Sequence, residues 1–479
     1  MGLPTIGILS AGVFGVFALS LVLPLFVALV EGNWRALEAI FLVAVGYGFL
    51  SAVTILSLSR RARTLNRAGV FMAAITVWLS LIAAAVPLFI LVEGQQLVPA
   101  IFEASSAAVT LGATLRPPAD LSPSMTFYRA TVAWVGGLTT LTLAVYVLGP
   151  YRVGGIPNAN LRQVQHARTE NDPRIFVTLQ SIAAPYLALT ITCAMLLIIV
   201  RVPADDAIVV AMSMLSTNGF VPPGSTTSVL DNRLAEIVMM VFMLIGATSI
   251  IWHRLLVARG GEGSREHHEG MRYLAAIGAL VVMAILAAIF APPLGRPGFE
   301  SAFNYVFDMI SIATTTGITH DLRLGVSIPF EAILIIVFIG GCSYSTAGGI
   351  KAFRLLTMLK HVGNELDRLV YPSAILRDDV QYDTQQRIIA KSVWSTFFLG
   401  VLAVTIALLI FAAQGHSLPS AMALAAGAFS QVGNLVDSAV PGLSQGVASD
   451  ATLLTIAALA TIARIEILVV LAAITGNRW

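Results

Sequence analysis

The chain has 479 residues, of which 57% are hydrophobic and only 11% are charged, and its mean hydropathy is +0.85. Because soluble proteins carry about 25% charged residues, this composition excludes a soluble globular protein and indicates an integral membrane protein. The formal net charge of +2 gives no reason to expect a nucleic-acid partner. We expect Cys193 and Cys342 to be reduced core residues, with no disulfide and no cysteine-based metal site.

Ten apolar segments are long enough to cross a bilayer, which takes roughly 20 residues. No basic cluster precedes the first of them, so we expect it to be a retained helix and not a cleaved signal. The predicted crossings lie near residues 5–30, 37–58, 70–92, 128–150, 176–201, 233–256, 271–291, 329–358, 390–413 and 451–473.

The loops between these crossings differ in charge. Segments 59–67, 151–175 and 351–391 each contain several Arg or Lys residues, whereas 414–450 contains none. Positively charged loops stay on the cytoplasmic side of a membrane. With ten crossings, both termini are then predicted to be cytoplasmic.

Four further apolar segments are too short to cross, and they lie at 99–109, 205–215, 300–313 and 419–429. Apolar stretches of about 10 to 14 residues are typical of re-entrant elements. Each of them follows a predicted crossing and precedes another one. We therefore predict two N-terminal helices followed by four repeats of helix, half-helix, turn and helix.

Each predicted half-helix leads into a polar turn that contains a glycine. A half-helix directs the negative end of its dipole at the turn, and glycine lets carbonyl groups face inward, where they replace part of the hydration shell of a cation. Four such turns in one chain predict a cation filter without a tetramer. The predicted filter residues are Thr110, Leu111 and Gly112, then Thr217, Asn218 and Gly219, then Thr315, Thr316 and Gly317, and finally Val432, Gly433 and Asn434.

The sequence GGCSYSTAGGIK at 340–351 interrupts an apolar helix. Irregular backbone at membrane depth survives only when protein shields it or when it lines a wet cavity, so this segment predicts a pore element or a substrate site. A phosphate-binding loop is disfavoured, because Ile350 separates the glycines from Lys351. An intramembrane protease with Ser343 or Ser345 as its nucleophile would need a general base within reach.

The sequence contains two further motifs, WVGGL at 134–138 and ARIEI at 463–467. The interrupting segment itself continues to residue 354 as GGCSYSTAGGIKAFR. Together they resemble the Trk/Ktr/HKT superfamily of potassium transporters, specifically its Trk-type membrane subunit, over nearly the whole chain. The resemblance implies an all-α integral membrane protein with one central pore per chain, and not an enzyme. The alternative is a secondary transporter with broken helices for another cation or a small solute, although such a carrier would show two related broken segments and not four.

The resemblance also implies the transported ion and the residues that bind it. K⁺ would be taken up, and no organic cofactor would be bound by this chain. Gly112 stands where relatives that favour Na⁺ commonly have serine, which favours K⁺. The implied K⁺ ligands are Thr110, Leu111, Thr217, Asn218, Thr315, Thr316, Val432 and Gly433.

In the resembled family, the loop at 340–351 lies below the filter as a gate, and an arginine of the last helix projects towards it. Glycines would allow the bend, and hydroxyl groups could satisfy the freed backbone. The implied gate residues are Gly340, Gly341, Ser343, Ser345, Thr346, Gly348, Gly349, Lys351 and Arg464.

The same resemblance divides the chain into five parts. Two additional N-terminal transmembrane helices precede four pore repeats, and the third repeat contains the gating loop. The predicted boundaries are 1–67 for the additional helices, then 68–175, 176–270, 271–389 and 390–479 for repeats 1 to 4.

The partners are expected from the family as well. The resemblance implies a homodimer with a pore in each protomer, embedded in lipid in a bacterial inner membrane. It also implies regulation by a cytoplasmic TrkA-like ring protein that binds NAD or adenine nucleotides. The basic loops could dock that ring, because the chain itself contains no dinucleotide-binding glycine motif.

Charged residues outside these motifs leave two interpretations open. Glu103, Asp205, Asp206, Asp308, Asp321 and Asp437 could concentrate cations at the outer mouth, or they could be ordinary surface carboxylates. Asp308 lies inside the third half-helix and is the best candidate for a structural polar role. We interpret the acidic and histidine-containing stretch at 262–269 as a solvated cytoplasmic loop and not as a metal cluster.

Overall fold

The computed structural model describes residues 2–62, 65–156, 174–222, 229–230, 232–251, 253, 268–290, 299–320, 329–370, 380–440, 443 and 448–475, and within these ranges it contains helices and no strand. The helices of the first half are α1 (Leu3–Ser20), α2 (Val22–Glu31), α3 (Trp34–Leu58), α4 (Arg67–Leu91), α5 (Leu97–Ala108), α6 (Pro123–Leu143), α7 (Arg174–Ile199), α8 (Ala204–Ser216) and α9 (Arg233–Ala247). Those of the second half are α10 (His268–Phe290), α11 (Phe299–Ala313), α12 (Phe330–Ile339), α13 (Ala352–Val370), α14 (Val380–Ala413), α15 (Leu418–Ser430), α16 (Gly433–Ala439), α17 (Asp450–Ile465) and α18 (Ile467–Thr475).

Seven continuous spans in the described ranges are long and apolar enough to cross a membrane. The first is Leu3–Glu31, which α1 and α2 form together, and the last is Arg387–Ala413 within α14. The crossings predicted at 233–256 and 329–358 appear as the shorter helices α9, of 15 residues, and α12, of 10 residues. The protein is therefore a multi-pass membrane protein.

The last predicted crossing, at 451–473, is not one straight helix. α17 ends at Ile465, α18 begins at Ile467, and the two helices are bent by 86°. Glu466 lies between them with a φ of +77°, and its carboxylate pairs with Arg354 at 2.9 Å. The bend was not predicted, because the apolar pattern continues through it, while the ion pair at Glu466 involves a residue distant in sequence. The two helices together are still long and apolar enough for one bent span.

The four short segments predicted as half-helices are helices in the structure, and they correspond to α5, α8, α11 and α15. Each packs against the long helix that precedes it, namely α4, α7, α10 and α14. Their apolar faces are buried in this packing, so each short helix ends inside the protein and not at a solvated surface.

The WVGGL motif lies where α6 passes the ends of two half-helices. A Cβ atom on Gly136 would overlap the carbonyl group of Ala108, the last residue of α5. A Cβ atom on Gly137 would lie 3.1 Å from the side chain of Ser216, the last residue of α8. The two glycines therefore allow α6 to contact the first two half-helices at the points where their turns begin.

The chain leaves α12 at Gly340 and enters α13 at Ala352, so the predicted interruption at 340–351 is confirmed. The segment 351–391 was predicted as one basic loop, but α13 and the start of α14 make most of its described part helical. Lys and Arg are good helix formers, so charge alone could not distinguish a loop from a helix here.

Candidate functional site

Four turns with the same backbone follow the four half-helices. The first residue of each turn has a left-handed φ, which is 60° at Thr110, 51° at Thr217, 58° at Thr315 and 56° at Gln431. Residues other than glycine rarely adopt this conformation. A glycine stands two positions later in every turn, so the repeat predicted from the sequence recurs in the backbone geometry.

A second backbone feature recurs in all four turns. The N–H group of the middle residue donates a hydrogen bond to the carbonyl five positions earlier, inside the half-helix. These bonds join Leu111 to Ser106 at 2.8 Å, Asn218 to Ser213 at 3.0 Å, Thr316 to Ser311 at 2.9 Å, and Val432 to Gly427 at 2.9 Å.

These bonds direct N–H groups back to the half-helix and leave carbonyl groups without a donor. Among the described residues, none donates a hydrogen bond to six carbonyl oxygens of the first three turns. They belong to Thr110, Leu111, Thr217, Asn218, Thr315 and Thr316, all buried. Buried carbonyl groups normally have a partner, and a desolvated cation is one partner that carbonyl oxygens accept.

The four turns contact one another in chain order. A Cβ atom on Gly112 would overlap the carbonyl oxygen of Asn218, and one on Gly219 would overlap that of Thr316. A Cβ atom on Gly317 would lie 3.0 Å from a methyl group of Val432.

The fourth turn then returns to the first, because a Cβ atom on Gly433 would overlap Ala113 of the first turn. The turns therefore form a closed ring made by a single chain.

The fourth turn differs from the other three in its exit. Val432 is directly followed by α16, which begins at Gly433, whereas the first three turns continue as extended chain. The residues equivalent to Thr110, Leu111 and Gly112 are Gln431, Val432 and Gly433. Asn434, predicted as a filter residue, lies one position beyond and donates a hydrogen bond to Thr319 at 2.5 Å.

A carboxylate braces the first turn from outside the ring. Glu103 of α5 accepts a hydrogen bond from the N–H of Leu115 at 2.6 Å and pairs with Arg129 of α6. Arg129 also donates to the carbonyl of Ala113 at 3.1 Å, and its guanidinium lies 5.1 Å from the ring centroid of Phe220. Glu103 is 1% exposed and Arg129 is 2% exposed, so this is a buried ion pair and not a surface charge.

The third turn has a brace at the equivalent position. Asp308 of α11 accepts a hydrogen bond from the N–H of His320 at 3.0 Å, and the His320 ring lies within 3.1 Å of the same carboxylate. The other ring nitrogen lies 3.3 Å from Glu236, which pairs with Arg233 at 2.9 Å. The structural role predicted for Asp308 is confirmed, and Glu103 has the same role.

The loop at 340–351 contacts the second and third turns through hydrogen bonds, and Arg464 links it to the first turn. The N–H of Gly348 donates to the hydroxyl of Thr315 at 2.8 Å, and the hydroxyl of Thr346 lies 3.4 Å from that of Thr217. Arg464 of α17 donates to the hydroxyl of Thr110 and lies 3.5 Å from the carbonyl of Ala347.

The fourth turn is in contact with the loop as well. A Cβ atom on Gly348 would overlap the carbonyl of Ser430 and lie 2.6 Å from the side-chain oxygen of Gln431. The loop therefore lies across one side of the ring, where it contacts the second, third and fourth turns directly and the first turn through Arg464.

The loop is also held by its own backbone and by neighbouring helices. Gly340 and Gly349 have φ angles of 68° and 74°, and Gly341 donates to the carbonyl of Gly348 at 3.4 Å. Cys342 donates to the carbonyl of Ala247 at 2.9 Å. The amine of Lys351 folds back onto the carbonyl of Ala347.

Hydroxyl groups of the loop satisfy carbonyl groups, as the sequence predicted. Thr346 donates to the carbonyls of Leu215 at 2.9 Å and Gly246 at 3.0 Å, and Ser345 donates to that of Cys342 at 2.6 Å. The hydroxyl of Ser343 has no partner among the described residues.

The backbone N–H of Ser343 donates to the carboxylate of Glu269 at 2.6 Å. Glu269 lies in α10, so its assignment to a solvated loop was wrong. The rest of the stretch 262–267 lies outside the described residues.

Little space remains on the side of the loop that faces away from the ring. A cavity of about 40 Å³ lies there, and Lys351, Glu466 and Arg464 are among its lining residues. Since one buried water needs at least 10–15 Å³, this cavity holds a few waters at most.

An ion pair that the sequence did not predict joins the end of the loop to the bent last helix. Arg354, the third residue of α13, donates to Glu466 at 2.9 Å, to Ile350 at 2.9 Å and to Gly154 at 3.1 Å. Its burial is nearly complete, at 2% exposure. One signal was available in the sequence, since ARIEI places a carboxylate inside an apolar helix, where it must find a partner.

A ring of buried backbone carbonyl groups inside a multi-pass membrane protein, with an interrupted helix against it, is an arrangement typical of ion-transport proteins. The family model TrkH, described as cation transport protein, matches residues 42–291 and 300–476, and the chain belongs to this family. The predicted family is thereby confirmed.

Several relatives are similar over most of their length. The Trk system potassium uptake protein TrkH of Salmonella typhimurium is 29% identical over 91% of this chain and 89% of its own. An uncharacterized cation transporter of Methanocaldococcus jannaschii is 30% identical over 70% of this chain and 67% of its own. The crystal structure of the potassium transporter TrkH from Vibrio parahaemolyticus superposes with a TM-score of 0.84, at 24% identity over all of both chains, which confirms the fold.

Proposed function

We propose that this protein takes up K⁺ through one pore per chain, that the ring of four turns selects the ion, and that the loop at 340–351 gates it. The observation that carries the proposal is the ring itself, with six buried carbonyl oxygens that have no donor among the described residues. Potassium uptake is the activity named for the relatives in Salmonella typhimurium and Vibrio parahaemolyticus.

The direction of the half-helices supports a cation and not an anion. All four end at the ring, so the partial negative charges of their C-termini are directed at the ion path. Carbonyl oxygens are neutral ligands that replace hydration without binding a monovalent cation so tightly that it cannot leave. No carboxylate is among the residues of the four turns at 110–112, 217–219, 315–317 and 431–433, and Glu103 and Asp308 bind backbone N–H groups behind them.

The position of the loop supports gating. It lies on the side of the ring where the basic loops are, which the positive-inside rule assigns to the cytoplasm. An ion that has passed the turns meets Gly348 and the side chains of Thr346, Arg464 and Lys351. Two of these side chains are cationic types, so their presence in the path opposes K⁺ until the loop moves.

Ion flux into proteoliposomes tests the filter. Gly112→Ser is expected to reduce the ratio of K⁺ to Na⁺ flux, because a Cβ atom there overlaps the carbonyl of Asn218. Gly317→Asp is expected to reduce it further, since it introduces a carboxylate beside the ion. Gly278→Ser is the matched control, because a Cβ atom on Gly278 in α10 meets no atom within 4 Å. Wild-type selectivity in both filter variants would remove the ring from the proposal.

Deletion of residues 344–347 tests the gate. Basal K⁺ flux is expected to rise and the ratio of K⁺ to Na⁺ flux to be retained, because the filter residues are unchanged. Arg464→Ala should act in the same direction and more weakly, since it removes one charge and the bond to Thr110. Lower flux in a deletion variant that is folded and inserted would mean that the loop supports the pore and does not close it.

The assembly is proposed on the same basis. The protein would lie in a bacterial inner membrane as a homodimer, with both termini cytoplasmic, and a TrkA-like ring protein that binds NAD or adenine nucleotides would regulate it. The name Trk system, given to the relatives, implies a system with more than one component. Co-purification with a ring-forming nucleotide-binding protein would support this partner. Full regulation of K⁺ flux in the isolated subunit, without any nucleotide, would contradict it.

The alternative is a carrier for another cation or a small solute that uses broken helices. Helix interruptions do occur in the described part of the chain, at 340–351 and at Glu466. Solute-coupled transport with a fixed stoichiometry, in place of a K⁺ conductance, would favour this alternative.

A further inference from the structure

A large crevice lies apart from the ring, between α4, α14 and α18 and the segment that follows α6. Its volume is about 1040 Å³, which is at the upper limit for a pocket that binds a small ligand. The crevice begins beside Arg67 and Arg152 and extends past Phe398 and Leu402.

One end of the crevice is basic. Arg67 is the first residue of α4, and its guanidinium lies 5.7 Å from the ring centroid of Phe71 and 5.8 Å from that of Tyr151. Arg152 lines the same end of the crevice and, like Arg67, is exposed. Neither arginine forms an ion pair with a carboxylate among the described residues, so within that part of the chain the two cationic groups share one opening without a counter-charge.

The crevice becomes apolar with depth. Along α14 its wall changes from Ser392 and Ser395 to Phe398 and then Leu402. Ten residues of helix cover about 15 Å at a rise of 1.5 Å per residue, which is one half of the roughly 30 Å hydrocarbon core of a bilayer. The gradient from arginine to serine to aromatic and aliphatic side chains therefore has the length of one membrane leaflet.

The apolar wall is open to the bilayer. Phe398 is 60% exposed, Leu402 is 52% exposed and Leu471 of α18 is 40% exposed. α18 turns away from α17 by 86° and packs against α4 and α14, so this exposed apolar surface lies near the basic end. A free phosphate or nucleotide would leave these side chains uncovered.

We infer that the crevice binds one anionic phospholipid, with its phosphate between Arg67 and Arg152 and an acyl chain along Phe398 and Leu402. A basic pocket between transmembrane helices on the cytoplasmic side is suited to an anionic headgroup. The charge of the two arginines selects an anionic lipid, and the depth of the apolar wall selects a lipid over a soluble phosphate. The site is independent of the ring and of the ion that passes through it.

Native mass spectrometry of the full-length protein in detergent tests this site. Phosphatidylglycerol is expected to be retained in preference to phosphatidylcholine. The double variant Arg67→Gln, Arg152→Gln is expected to lose this preference by about tenfold or more, since each arginine near a phosphate contributes about 1 kcal/mol. The matched control is Arg60→Gln, Arg61→Gln, which removes two exposed arginines at the same end of the protein but outside the crevice.

A third variant separates the acyl chain from the charge. Ser395→Trp fills the crevice and leaves both arginines, and it is expected to reduce retention of phosphatidylglycerol as well. Inorganic phosphate at millimolar concentration is expected not to displace the lipid. Displacement by phosphate would show an anion site and not a lipid site, and an equal loss in the control variant would show general surface electrostatics. Either result, or equal retention of both lipids, would overturn the inference.

Discussion

Each unit of the ring is a half-helix with the turn that follows it, and the units are numbered 1 to 4 in chain order. The four turns have the same backbone conformation, but the odd and the even units stabilise it in different ways. In units 1 and 3 a carboxylate lies nine residues before the glycine, at Glu103 and Asp308. It accepts a hydrogen bond from the N–H of the residue three positions after that glycine. In units 2 and 4 the equivalent positions are Val210 and Leu424, both apolar.

The reason lies in the N–H group three residues after each glycine. In unit 2 that residue is Pro222, which has no N–H, and in unit 4 it is Val436, which lies inside α16. Val436 is the fourth residue of that helix, and in an α-helix this N–H is the first one that is directed at an intrahelical carbonyl. A carboxylate is therefore present in the two units in which this N–H group would otherwise lack an acceptor. The residue type at this position of each unit thus depends on whether an N–H group needs an acceptor there.

The largest expected effect comes from giving unit 1 the residue type of unit 4. Glu103→Leu leaves Arg129 buried without its partner, and breaking a buried ion pair costs about 3–5 kcal/mol. We expect a loss of thermal stability in detergent together with a lower ratio of K⁺ to Na⁺ flux. Val210→Ala, at the equivalent position of unit 2, is the control, and it should reduce stability without changing the flux ratio.

A second substitution separates stability from selectivity. Replacing a buried ion pair by apolar residues is often neutral for stability, so Glu103→Leu with Arg129→Met should recover most of the thermal stability. The N–H of Leu115 would still lack its partner, and the carbonyl of Ala113 would keep only its bond from Ser106, so the flux ratio should stay low. Recovery of both properties would mean that Glu103 serves the fold and not the turn.

A smaller effect is expected from giving unit 3 the residue type of unit 2. Asp308→Val removes the acceptor for the N–H of His320, which leaves a buried donor unsatisfied at a cost of about 1–3 kcal/mol. The effect is smaller than in unit 1 because the His320 ring keeps its contact with Glu236 and is 16% exposed. Thermal unfolding and the flux ratio, measured beside Glu103→Leu, should place this variant between Glu103→Leu and the wild type.

The smallest effect should distinguish two serines at equivalent positions. Ser106 donates to the carbonyl of Ala113 at 2.6 Å, whereas the hydroxyl of Ser213 has no partner among the described residues. Ser106→Ala should cost about 1 kcal/mol, the net value of one hydrogen bond, and Ser213→Ala should be close to neutral. Equal shifts in the thermal midpoints would show that the two units are braced alike.

The main features of the ring could be predicted from the sequence because they repeat. Glycine, half-helix length and apolar character recur four times, and each recurrence supports the others. In the fourth turn the predicted residues were displaced by one, since Asn434 was included and Gln431 was not. If the four turns are aligned on their glycines, the first residue of each turn lies two positions before the glycine. This alignment would have included Gln431 and excluded Asn434.

Contacts between distant parts of the sequence could not be predicted in this way. Glu103 and Arg129, or Arg354 and Glu466, are brought together only by the packing of different helices. The pattern of apolar residues is unchanged by such pairs, so the bend at Glu466 was not visible. A charged residue inside an apolar segment shows that a partner is needed but does not identify it.

For the proposed gate, the hydrogen bonds that hold the loop set the free energy that opening requires. Gly348 donates to Thr315 of the third turn, and the one hydroxyl proton of Thr346 is shared between the carbonyls of Leu215 and Gly246, which lie outside the four turns. At about 0.5–1.5 kcal/mol net for each of these two donors, opening costs about 1–3 kcal/mol, which corresponds to an open population of about 15% down to below 1%. To move an equilibrium from 1:99 to 99:1, a ligand or partner must prefer the open form by a factor of about 10⁴, or about 5.5 kcal/mol.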